Sequence, residues 1–87
     1  SVSARVAELL ELCQHSAQFT FGTAVMHAAS RAPQRAHIIV TLLALLELAR
    51  LRLIALQQAY LGGTIHVVVH ADRLNGLPVD DLGAVRS

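Results

Sequence analysis

The chain contains no lysine, one cysteine and very few aromatic residues, and each scarcity removes a class of function. All seven cations are arginines, set against six acids for a formal net charge of +1 over 87 residues. That balance is too small for a protein whose main partner is a phosphate backbone. A single cysteine, Cys13, rules out an internal disulfide and makes a reducing compartment, the cytoplasm, the simpler expectation. Aromatic residues make up 3% against 54% hydrophobic residues overall, so the core must be built from Leu, Val, Ile and Ala, which suits packed helices. The longest unbroken apolar stretch near the middle, Leu42 to Leu46, falls well short of the roughly 20 residues that span a bilayer. No glycine-rich phosphate loop is present. The chain opens Ser1-Val2 without a Met or a basic, apolar leader, and the expectation is a piece of a longer polypeptide.

What remains is dominated by His37 to Arg50, H-I-I-V-T-L-L-A-L-L-E-L-A-R, a helical run with almost no polar face. A helix apolar nearly all round must be covered on more sides than one small core can supply. Part of its surface is therefore expected to serve another protein, as a patch too apolar for an isolated monomer.

The flanking elements follow from spacing. Val6, Leu9, Leu10 and Cys13 recur at three and four, placing a first helix over about 3–16 with Ser1 or Ser3 as its cap and Glu8 and Glu11 turned away. Phe19, Thr20 and Phe21 read as a short strand whose two rings anchor the core, and 23–30 as a short helix closed by Pro33. The third helix is expected over about 35–51, with Arg50 and Arg52 complementing its dipole. Two extended runs, 53–59 and 64–70, flank Tyr60-Leu61-Gly62-Gly63, a hairpin tip where glycine permits positive φ. On the second run Ile65, Val67 and Val69 should face the core, with His66, Val68 and His70 on the other side. Asn75-Gly76 and Pro78 are turn signals, so 71–87 reads as a tail. The expected fold is one domain over 1–70, mainly α with a small β-hairpin, in the element order of a winged helix.

The segment V-T-L-L-A-L-L-E-L at 40–48, followed by L-I-A-L-Q-Q at 53–58 and G-T-I at 63–65, resembles the C-terminal domain of the bacterial kleisin, segregation and condensation protein A. In that family the helix typically reads V-T-F-L-A-L-L-E-L and leads into a strand ending in Gln, a turn, and a second strand entered through Gly-acid-Ile. Here Leu42 replaces the Phe, Gly62 stands where an aromatic is usual, Thr64 where an acid is usual, and the acids around the turn are absent. The likeness covers the third helix and hairpin, touches the first half only by pattern, and leaves out the tail. It implies a winged helix that docks on the ATPase head of a structural maintenance of chromosomes (SMC) protein, helping close a ring engaged in chromosome condensation and segregation. It further implies a cytoplasmic, nucleoid-associated protein whose other regions bind segregation and condensation protein B.

Competing chemistries fare poorly. Duplex DNA binding through the third helix needs Arg, Lys, Asn or Gln on the groove-facing side, and Ile38, Ile39, Leu42, Leu43, Leu45 and Leu46 offer none. Arg31, Arg35 and His37 at its start would support only weak, salt-sensitive contact, and a DNA-binding regulator is the alternative. His66 and His70 lie about 13 Å apart along a strand, too far to share an ion, and Cys13 and His15 diverge on a helix, so no metal is expected. Cys13 reads as a small core hydrophobe, and Asp80-Asp81 have no partner acid or base, so neither catalysis nor a cofactor is expected. Glu47 reads as an acid paired with Arg50 three residues on, or as the rim of a partner surface. Leu56, Gln58, Tyr60, His66 and Val68 are the candidates for a hairpin interface, where an edge strand could add to a neighbouring sheet, and self-association through the uncovered apolar surface is a further expectation.

Overall fold

A computed structural model describes residues 1–29 and 34–76. Ser30, Arg31 and Pro33, together with Pro78, Asp80 and Asp81 of the expected tail, lie outside the described residues. Among the described residues, four helices and three strands follow in the order α1 (Val2–His15), β1 (Gln18–Thr20), α2 (Phe21–Met26), α3 (Arg35–Arg50), β2 (Ile54–Gln57), β3 (His66–Val69) and α4 (Ala71–Asn75). The molecule is mainly helical, with one small antiparallel sheet in the order β1-β3-β2. The hairpin is therefore wider than expected, because the short strand before α2 pairs with β3 and makes it the central strand.

Local chemistry explains each boundary. Ser1 caps α1, its Oγ accepting from the Ala4 amide at 3.2 Å. Thr20 caps α2 in the same way, accepting from the Thr23 amide at 3.2 Å, so this helix starts at Phe21 rather than Thr23 and ends at Met26 rather than near Ser30. Phe19 is buried in the core, whereas Phe21, at the first turn of α2, packs against the core edge half-exposed. The third helix closes with a Schellman motif: the Leu53 amide donates to the Leu48 carbonyl at 3.0 Å and the Arg52 amide to the Ala49 carbonyl at 2.9 Å. Leu48 and Leu53, the hydrophobic pair that accompanies this motif, are both buried. Arg52 occupies the left-handed position, φ 61°, which glycine usually fills. Because Leu53 belongs to this cap, β2 begins one residue later than expected.

The core forms where α1 and α3 cross and the sheet closes beneath them. Leu9, Ala44, Leu45, Leu48 and Val67 are fully buried, and Cys13 joins them as a small hydrophobe. Burial pushes the Cys13 thiol up to about 11, so it stays neutral and unreactive at physiological pH. The chain does not become a tail at His70. Ala71–Asn75 forms α4, and Leu74, only 8% exposed, belongs to the core.

Candidate protein-docking surface

The residues available to a partner are fixed by register. Ile54 pairs with Val69, Ala55 with Val68, Leu56 with Val67 and Gln57 with His66. Directly opposed residues share a face, so Phe19, Val67 and Leu56 form one row turned to the core. Leu56 is accordingly half-buried against the core, which corrects its expected place on the partner side. Even-numbered positions of β3 oppose odd-numbered positions of β2, and a reading that aligned even with even inverted the face of β2. On β3 the expected alternation holds: Val67 and Val69 are buried, Ile65 just before the strand is half-buried, and His66 and Val68 point outward. The outer face is built from Gln18, Thr20, His66, Val68, Ala55 and Gln57, with Val68 and Ala55 half-buried among polar neighbours.

The β2–β3 loop carries the remaining hairpin candidates. Gln58 lies beyond the end of β2, and its Nε2 donates to the Gly63 carbonyl at 2.7 Å, so the side chain braces the loop from within. The Gly63 amide donates to the Tyr60 carbonyl at 3.0 Å, and a β-carbon on Gly63 would meet the Tyr60 ring at 3.1 Å. Gly62 takes the positive φ, 82°. This loop presents Tyr60, 71% exposed, and Leu61, 96% exposed. Leu61 was not among the candidates, although its place at an expected hairpin tip was the signal.

Among the described residues, the largest apolar exposure lies on α3. Thr41, Ala44, Leu45 and Leu48 face the core, while Ile38, Ile39, Leu42, Leu43 and Leu46 face solvent with 38–49% of each exposed. At about 100° per residue these five cover roughly 140° of the helix circumference on the side away from the core. Glu47 borders the stripe, half-buried, and accepts two hydrogen bonds from Arg50, at 3.0 Å from Nε and 2.6 Å from Nη2. Those hydrogen bonds, with the nearby positive charge, hold the Glu47 carboxyl below its usual value. The ion pair with Arg50 is thus present, and the same carboxylate also borders the apolar surface.

Among the described residues, the basic groups at the start of α3 do not assemble a phosphate site. Arg35 is exposed, but His37 is half-buried and its Nε2 hydrogen-bonds the Val25 carbonyl at 2.7 Å. That contact belongs to a buried cluster organised by Arg5, which sequence reasoning passed over. Arg5 is 2% exposed. Its Nε donates to Thr41 Oγ1 at 3.0 Å, and its two terminal nitrogens donate to the carbonyls of Ala24, Val25 and His27 and to Glu8. The only hint was a cation set among Val2, Val6 and Leu9 on the apolar side of α1.

Among the described residues, no three His, Cys, Asp or Glu side chains come together to hold a metal ion, and no helix is long and apolar enough to cross a membrane. No protein-family model matches the chain, and no curated protein matches it significantly.

Proposed function

We propose that this chain is a non-catalytic docking module, the winged-helix domain of a kleisin, which binds the ATPase head of an SMC protein through the outer side of α3 and the neighbouring hairpin. The observation that carries the reading is the solvent-facing stripe Ile38, Ile39, Leu42, Leu43 and Leu46. Contiguous apolar surface of several hundred Å² on a monomer marks an interaction site, and here it lies on the helix that a DNA-binding winged helix would line with cations. The order helix, strand, helix, helix, hairpin, with β1 joining the hairpin, supports the winged-helix assignment. The kleisin assignment is supported by V-T-L-L-A-L-L-E-L at 40–48 and the hairpin segments that follow. On this reading the domain closes one side of the SMC–kleisin ring in chromosome condensation and segregation, in the cytoplasm at the nucleoid. Segregation and condensation protein B then binds elsewhere on the full-length kleisin, and Tyr60, Leu61 and His66 extend the contact from α3.

Calorimetric titration with an isolated SMC ATPase head, and in parallel with duplex DNA, tests this. Saturable one-to-one binding to the head with no heat from DNA is expected. Salt-dependent DNA binding without head binding would transfer the assignment to a winged-helix transcription regulator.

A further inference from the structure

We draw no further inference here: the strongest candidate, the solvent-facing apolar stripe Ile38, Ile39, Leu42, Leu43 and Leu46 on α3, belongs to the docking surface already described, and nothing in the structure shows what else covers it.

Discussion

Arg5 is the residue whose environment departs furthest from what its type would suggest. A buried guanidinium is costly unless its donors are used, and here they end α2: the carbonyls of Ala24, Val25 and His27 all accept from it, Val25 sharing its oxygen with His37 and Ala24 with the His27 amide. The nearby Glu8 carboxylate, 43% exposed, balances part of the charge from the rim. Arg5→Met keeps the volume and removes every donor, so the His27 carbonyl loses the bond Arg5 makes to it, and the Ala24 and Val25 carbonyls and Thr41 Oγ1 each lose one of their hydrogen bonds. A loss of about 3 kcal/mol or more is expected, read as a lower midpoint in urea unfolding. Arg5→Lys, with one nitrogen in place of a planar fork, should restore less than half of that loss. Equal stability of the Met variant and the parent would show that the hydrogen bonds to α2 contribute nothing net.

Two residues in left-handed conformations show how an element can end without a readable signal. Ala28, φ 59°, follows His27 at φ −63° and ψ 128°, and the Ala29 amide donates to the Met26 carbonyl at 3.1 Å, which together make a type II turn. Arg52 ends α3 in the same region of φ. Glycine belongs at both positions, and each non-glycine residue there is strained by about 1 kcal/mol. Ala28→Gly and Arg52→Gly should therefore each raise stability, by roughly 0.5 kcal/mol after glycine's larger unfolded-state entropy is counted, whereas glycine elsewhere in these helices should lower it. A thermal melt of each variant checks the sign. The end of α2 falls about four residues before its expected place for this reason: alanine at a turn carries none of the punctuation that glycine or asparagine would.

The sheet shows where legibility stops. The faces of β3 were readable from alternation, and the core positions of α1 from spacings of three and four, because both are properties of one element. Register between β2 and β3 is a property of two strands and of the loop joining them, and nothing in L-Q-Q-A-Y-L-G-G reveals where pairing stops. Leu56 makes the error measurable. Leu56→Glu places a carboxylate opposite the fully buried Val67, and a loss of about 2–3 kcal/mol is expected in chemical unfolding. Gln57→Glu, one residue on and exposed, should change stability by less than about 0.5 kcal/mol. The reverse ranking would mean that the strand pairs with the opposite face inward.

At the scale of the whole molecule, the apolar surface of α3 was foreseeable from composition, because a helix with so few polar positions cannot be wrapped by a domain this small. The boundary of the folded unit was not. Asn75-Gly76 marks a turn truly enough, since Gly76 ends α4 and its amide donates to the Asp72 carbonyl at 3.2 Å, but a single turn of helix before it has too few residues for periodicity to show. That turn closes the core from the side of α1. The Leu74 amide donates to the His70 carbonyl at 3.0 Å, and His70 is tied back to the end of α3 by its own amide to Leu53 and by its Nδ1 to the Arg52 carbonyl, at 2.9 and 3.0 Å. Leu74 is thus carried by a chain of contacts rooted in the Schellman cap. A chain ending at His70 loses this side chain and uncovers its neighbours on α1. Full burial of a leucine contributes about 2–3 kcal/mol, which for a domain of this size corresponds to a fall in Tm of roughly 10–15 °C. Leu74→Ala in the full chain should reproduce most of that fall, and a chain ending at Gly76 should show little of it. If the chain ending at His70 melts with the full-length protein, α4 is dispensable and the folded unit ends with β3.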